Sequence, residues 1–271
     1  MHPEKVKEIR KNIEFEYKRN SYPEGFPQIP DLSGKRYTDE EFFELEFENI
    51  FLKSWILVFR ADEIPKAGDF KIFDKLQRDI LIVRQKDESI KAFFNTCSHR
   101  GAPVVRDKEG NTKLLKCQYH SWAYDLDGKL RASPHFGGTN KHHPEGFNPS
   151  NHGLEPVRIQ VWHDWIFINF SETAPVFEKY AAPLIKQLGN FDFNKIYPVA
   201  TLDFGEIFAN WKFLIENYIE PYHVQFVHQD TTSQPLKDHY TIVDGLCLGS
   251  GVDLSDEDLS LIHISEPTRL G

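Results

Sequence analysis

The sequence predicts an α+β protein in which a small antiparallel β unit lies between helical segments, and three observations carry that reading. Phe42, Phe43, Leu45, Phe47, Ile50 and Phe51 recur at helical spacing between Thr38 and Lys53. From Asp69 to Phe170 the apolar residues come in short runs instead: Phe70–Phe73, Ile80–Val83, Ile90–Asn95, Lys113–Lys116 and Val157–Phe170. Helical patterning returns from Pro175 to Leu188 and around His223, with a strand expected over Val199–Phe208.

Each element has a local reason. Thr38, followed by Glu40 and Glu41, gives the first helix an acidic opening turn that complements the helix dipole. Glu109-Gly110-Asn111 and Asp127-Gly128 supply turn chemistry between strands. Asp125-Leu126-Asp127-Gly128 could begin a calcium loop, but Phe136 stands where such a loop closes on Glu, so a hairpin turn is the better reading. Ser133–Gly153 is rich in Gly, Pro and Asn, and its His135, His142, His143 and His152 have no tight ligand spacing, so it reads as a long solvated loop. The expected division is an N-terminal helical segment at 1–53, a β domain at 54–170, part of a helix-and-sheet domain at 171–258 and a separate tail at 259–271.

At 271 residues, 40% hydrophobic, the chain can bury a substantial core. Its net charge of -9 argues against nucleic acid, which calls for a concentrated basic face. The first twenty residues carry Lys, Arg and Glu with no apolar stretch of a secretory signal, and no long apolar run suggests a membrane span. A cytoplasmic chain with reduced thiols is expected. Of three cysteines, Cys247 reads as a small buried hydrophobe.

The other two belong to the pattern that speaks most directly of chemistry. Cys97, His99, Cys117 and His120 form Cys-x-His-x17-Cys-x2-His, two arms each offering one thiolate and one imidazole. Two Cys on one iron and two His on the other make a Rieske [2Fe-2S] centre, whose neutral imidazoles raise the reduction potential. A structural zinc site uses the same ligand count, but zinc fingers usually pair Cys with Cys and His with His.

The flanks bring in a family. Cys97-Ser98-His99-Arg100-Gly101-Ala102 and Cys117-Gln118-Tyr119-His120-Ser121-Trp122, followed by Tyr124-Asp125-Leu126-Asp127-Gly128, resemble the ligand loops of Rieske non-haem iron oxygenases, the α subunits of ring-hydroxylating and related enzymes. Family members usually carry Pro and Gly where this chain has Gln118 and Ser121. Asn210-Trp211-Lys212 through Glu220-Pro221-Tyr222-His223 to His228 resembles the segment that in the same family gives two His ligands to a mononuclear iron. On a regular helix His223 and His228 would stand about 140° apart, so a π-bulge or local unwinding is expected between them.

The resemblance implies a Rieske β-sandwich followed by the start of the catalytic domain, with Cys97, His99, Cys117 and His120 on the cluster and His223 and His228 on Fe(II). It places Glu220 as the acid bridging the two centres between neighbouring subunits, accepting the outer N–H of His223 and one from His120 of an adjacent chain. Most ring-hydroxylating members have Asp there; the branch acting on quaternary amines such as carnitine, choline and glycine betaine commonly has Glu. It further implies a NAD(P)H-dependent reductase as electron source, with or without a ferredoxin, O2 and a small organic substrate, and a homotrimer in full-length form. A Rieske electron carrier without oxygen chemistry is the competing reading, and His223 and His228 discriminate, because a carrier has no use for them.

Leu259–Arg269 looks like a translated sequencing-library adapter, so that the catalytic domain is expected to be cut short near Asp258 and the fragment inactive. The third iron ligand of the family, an Asp or Glu, is expected beyond that point; Asp230, Asp238, Asp244, Asp253, Asp256, Glu257 and Asp258 lie too near His228 to match it.

Overall fold

The computed structural model describes residues 3–18, 32–189, 192–193, 199, 205–228 and 239–252. The chain forms two compact units, Met1–Thr38 and Asp39–Gly271. The first contains helix α1, Pro3–Lys18, and the single turn α2, Lys35–Thr38. Among the described residues no helix is long and apolar enough to cross a membrane.

The second unit opens with α3, Glu40–Glu46, followed directly by a π-turn over Phe47–Phe51. The N-cap is Asp39, whose carboxylate accepts from the Phe42 N–H at 3.2 Å, and Glu40 and Glu41 make the expected acidic first turn.

The β domain then runs β1 (Ile56–Arg60), β2 (Asp69–Phe73), β3 (Ile80–Arg84), β4 (Ile90–Phe94), β5 (Glu109–Asn111), β6 (Leu115–Lys116), β7 (Ala123–Tyr124), β8 (Leu130–Ala132), β9 (Pro156–Trp162) and β10 (Trp165–Asn169). Seven strands form an antiparallel sheet in the order β1-β10-β9-β4-β3-β2-β5, and β6-β7-β8 form a second, smaller sheet. The run Val157–Phe170 is a hairpin, turning at His163, whose φ is 55°. Glu109–Asn111 is an edge strand paired with β2. Its three residues are all exposed, so nothing apolar in the sequence distinguished it from a turn.

β3 explains the layering. Ile80 and Ile82 point into a core with Ile64, Ala92, Val157, Ile166 and Ile168, whereas Leu81 and Val83 point into another with Phe93, Val104, Leu115, Trp122, Tyr124 and Leu126. A strand covered on both faces needs an unbroken apolar run, which Ile80–Val83 supplies. Cys97 and Cys117 belong to the second core, so the thiols are wedged between the main sheet and the small one. At the Asp127–Gly128 hairpin, Gly128 has φ 86° and its backbone passes over the Phe93 ring, where a Cβ would come within 2.5 Å.

Beyond the β domain, helical residues split into α4 (Phe177–Tyr180) and α5 (Ala182–Leu188) at Ala181. α6 (Trp211–Ile219), α7 (Val224–Val227) and the hairpin β11 (His239–Asp244) with β12 (Cys247–Val252) follow. Residues 205–208 are not in a strand, and 200–204 lie outside the described residues. The tail 259–271 and the acids Asp230, Asp238, Asp253, Asp256, Glu257 and Asp258 also lie outside them.

Candidate metal centres

The two Cys-His arms fold as matching loops. Gly101 N donates to Cys97 O at 2.9 Å and Ser121 N to Cys117 O at 3.0 Å, while Cys97 N donates to Ala102 O and Cys117 N to Trp122 O at 2.8 and 2.9 Å. Both loops turn through the left-handed region: Gly101 has φ 73° and Ser121 φ 60°. The family's usual Gly at the second position thus has a backbone reason, and Ser121 holds the same turn under strain. Asn95 fixes the base of the first loop, its Oδ1 accepting from Val104 N and Val105 N at 3.0 Å each and its Nδ2 donating to Val105 O.

This folding buries the two thiols in one core and sets the two imidazoles against each other. Cys97 and Cys117 form no disulfide, and both are buried in the second core. Burial pushes the Cys97 thiol up; the Tyr124 hydroxyl and the backbone N–H of His99 act against it, and the neighbouring Cys117 adds to it. His99 and His120 stand with ring centroids 4.6 Å apart. Burial, the second imidazole and Arg100 all hold His99 below its usual range, which favours the neutral imidazole, the form that ligates metal.

The donor set fits a two-metal cluster. Nδ1 of His99 is buried without a hydrogen-bond partner, which leaves its lone pair for a metal. Among the described residues no three His, Cys, Asp or Glu side chains converge as they would round one ion. A thiol pair beside an imidazole pair, two donors for each of two irons, is the arrangement a [2Fe-2S] cluster with mixed ligands requires.

Other aromatic and polar groups enclose the site. Trp122, 2% exposed, lies parallel to His99 at 4.7 Å and 8°. Phe136 and Phe147 meet Trp122 edge-on at 5.0 and 6.0 Å, and His152 stacks on Phe147 at 4.3 Å. The segment expected as a solvated loop is mostly exposed, Phe136 included, but Phe147 packs on the second core and Phe136 lies against Trp122. Tyr124 is fully buried with its hydroxyl 3.1 Å from Cys97 Sγ and 3.0 Å from Ser98 Oγ. Nothing in the Cys-His spacing marks Tyr124 or Asn95; their burial emerges only from the packing of β7 and β4.

His223 and His228 also come together, by a helix break. α6 ends at Ile219, and Glu220 is extended, φ -110° and ψ 123°. Pro221 is the cause, since a residue before proline is driven out of the α region. His223 then caps α7 at one end and His228 at the other, with ring centroids 5.4 Å apart. The break achieves what a continuous helix could not. Glu220 Oε1 is hydrogen-bonded to His223 Nδ1, and Oε2 accepts from His223 N at 3.3 Å. That contact with His223 holds the Glu220 carboxyl below its usual range and leaves His223 Nε2 for another ligand. Asp244 pairs with Lys186 at 3.7 Å. Cys247, in β12, is half-buried.

Residues 54–143 match the family model of the Rieske [2Fe-2S] domain, and residues 191–258 match that of the ring hydroxylating α subunit catalytic domain. The chain is 30% identical over 223 residues to the carnitine monooxygenase oxygenase subunit of Acinetobacter pittii, covering 80% of this chain and 59% of that one. It is 31% identical over 194 residues to the glycine betaine monooxygenase oxygenase subunit of Pseudomonas aeruginosa, covering 72% and 44%. The biphenyl dioxygenase α subunit of Metapseudomonas furukawaii is 33% identical over 193 residues, covering 69% and 42%. Among solved structures, a quaternary ammonium Rieske monooxygenase superposes with a TM-score of 0.66 at 29% identity, covering 78% of this chain and 58% of that one. Naphthalene 1,2-dioxygenase superposes with a TM-score of 0.61 at 31% identity, covering 71% and 43%. The chain thus spans between about two fifths and three fifths of the curated relatives named here.

Proposed function

The chain belongs to the α subunits of the Rieske non-haem iron oxygenases, and from that premise we propose that its enzyme hydroxylates or demethylates a small organic substrate with O2. Cys97, His99, Cys117 and His120 hold the [2Fe-2S] cluster, and His223 and His228 hold Fe(II). When bound, the cluster supplies one electron at a time and Fe(II) binds and activates O2. Residues 54–170 form the cluster domain, and the catalytic domain starts at 171.

The observation that carries this reading is the buried, unpartnered Nδ1 of His99 beside a buried thiol pair. A pure electron carrier has no need for the second site, where the broken helix brings His223 and His228 to 5.4 Å and Glu220 orients His223. Glu220 fixes the tautomer of His223, and its other edge is the acceptor for His120 of a neighbouring copy. An NAD(P)H-dependent reductase, with or without a ferredoxin, supplies electrons in the cytoplasm to a homotrimer.

The substrate we infer is a quaternary ammonium compound. Glu220 stands where that branch commonly has Glu, and carnitine and glycine betaine monooxygenase subunits are among the relatives. The biphenyl dioxygenase match makes an aromatic ring the competing substrate. Substrate-dependent oxygen consumption by the full-length enzyme with its reductase, on carnitine and betaines against benzoate-like and biphenyl rings, tests it. Turnover of the ammonium compounds is expected; turnover of rings alone would overturn the assignment.

A further inference from the structure

Glu46 closes α3, far in sequence from either metal centre, yet it is a buried carboxylate with three polar contacts at the catalytic helix. Its Oε2 accepts from Trp211 Nε1 at 3.0 Å and from Lys212 Nζ at 2.8 Å, and its Oε1 lies 2.6 Å from the same Nζ. The Glu46 and Lys212 side chains are 7% and 16% exposed. Around them the π-turn presents Phe51 edge-on to Trp211 at 5.1 Å, and Lys212 Nζ lies 5.5 Å over the Phe42 ring. Asn210 caps the same turn, accepting from Lys212 N at 3.1 Å.

Trp211 and Lys212 are the first two residues of α6, and Glu220 follows its last. Along most of its length α6 shows exposed apolar side chains, Phe213, Leu214, Ile215 and Tyr218. The first turn is one of its grips, and the packing of α6 on β12 is another. The other end meets β11, where Thr241 Oγ1 donates to Ile219 O at 3.4 Å. A helix of this length is a lever of about 14 Å, so a tilt of about 5° at the first turn carries its end about 1 Å. Metal sites tolerate little more than half of that before the supporting residues no longer hold the ligands in place.

We propose that Glu46 is a positioning residue of the mononuclear iron site, acting through Trp211 and Lys212 to set the seat of α6 and thereby the Glu220–His223 pair. This rests on the reading of His223 and His228 as iron ligands. A charged carboxylate suits the role because its directional contacts define one register, where apolar packing tolerates several.

The test compares the full-length enzyme with its Glu46→Gln, Glu46→Asp and paired Glu46→Leu/Lys212→Met variants after cluster reconstitution. The paired variant refills the site without charge and keeps the fold measurable if Glu46→Gln unfolds. Fe(II) is titrated against a coloured chelator, the nitric oxide adduct of the bound Fe(II) is recorded by electron paramagnetic resonance, and the cluster signal serves as internal control. Glu46→Gln and the paired variant are expected to weaken Fe(II) binding about tenfold or more, the scale seen when groups supporting metal ligands are lost. The nitrosyl signal should change in rhombicity with the cluster signal unaltered, and Glu46→Asp should recover part of the affinity. Unchanged Fe(II) affinity and nitrosyl signal in the folded variants, whatever the melting temperature, would overturn the inference alone. If the unsubstituted full-length enzyme binds only the two irons of its cluster, the iron-site reading and the inference fall together.

Discussion

The hydroxyl of Tyr124 lies 3.1 Å from Cys97 Sγ and also contacts Ser98 N and Ser98 Oγ at 3.2 and 3.0 Å. A metal-bound thiolate can only accept, so in the loaded protein the phenol donates to it. Burial and the neighbouring Cys97 push the Tyr124 hydroxyl well above its ordinary range, so it keeps its proton throughout the physiological range.

Tyr124→Phe removes this donor while keeping the ring in the core. A hydrogen bond to sulfur favours the more negative, reduced cluster, so its loss should lower the reduction potential. A differential of about 1 kcal/mol corresponds to about 40 mV for one electron. Protein-film voltammetry should show a fall of tens of millivolts with cluster content preserved; an unchanged potential would remove Tyr124 from any electronic role.

Ser121 holds φ 60° where the matching loop has Gly101 at 73°. Ser121→Gly should relieve a left-handed cost of about 1–2 kcal/mol, partly offset by the greater freedom of glycine in the unfolded chain. A net gain of under about 1 kcal/mol is expected, a rise of about 2–4 °C at most for a domain of this size. Ser121→Val should destabilise, because a branched side chain tolerates that φ poorly. Thermal unfolding of both variants decides it.

The two ligand loops were legible in the sequence because their chemistry is local: residues within a few positions of each other converge whatever the rest of the chain does. β3 was legible because burial on both faces leaves an unbroken apolar run. The helix break at Glu220 had a readable cause in Pro221, yet without the fold only the need for unwinding could be stated. Glu46 was not legible, since its partners lie 165 and 166 positions away and a carboxylate in a helix ordinarily faces water. The aromatic contacts around Trp122 were hidden in the same way, because Gly and Pro in Ser133–Gly153 signal turns and say nothing of where Phe136 and Phe147 pack.

Asp69 gives a pH prediction. Its carboxylate accepts from Asn111 Nδ2 at 2.8 Å and Lys66 N at 2.7 Å. The Asn111 contact chiefly holds its pKa below the ordinary 3.8. The unfolded chain therefore binds this proton at a higher pH than the folded one, so the stabilisation is complete above about pH 5 and is lost as pH falls below the ordinary value. Asp69→Asn should be less stable than the parent at pH 7, with the gap in urea midpoint narrowing below about pH 4. A gap that is constant down to pH 3 would contradict the sign.

Glu220→Gln keeps the size of the group that holds His223 and removes its charge. In the full-length enzyme both metals should stay bound while electron delivery between subunits collapses. A pre-reduced variant mixed rapidly with substrate and O2 should oxidise its cluster far more slowly than wild type; an equal rate would show that Glu220 does not bridge the centres.

In the proposed centre the two loops hold a [2Fe-2S] cluster through two thiolates and two imidazoles. The chain, reconstituted anaerobically with iron and sulfide and then reduced, should carry two irons in the cluster and give an electron paramagnetic resonance signal with the low average g value of mixed His and Cys ligation. A signal of the all-cysteine ferredoxin type, or zinc as the only metal retained after full iron supply, would contradict it.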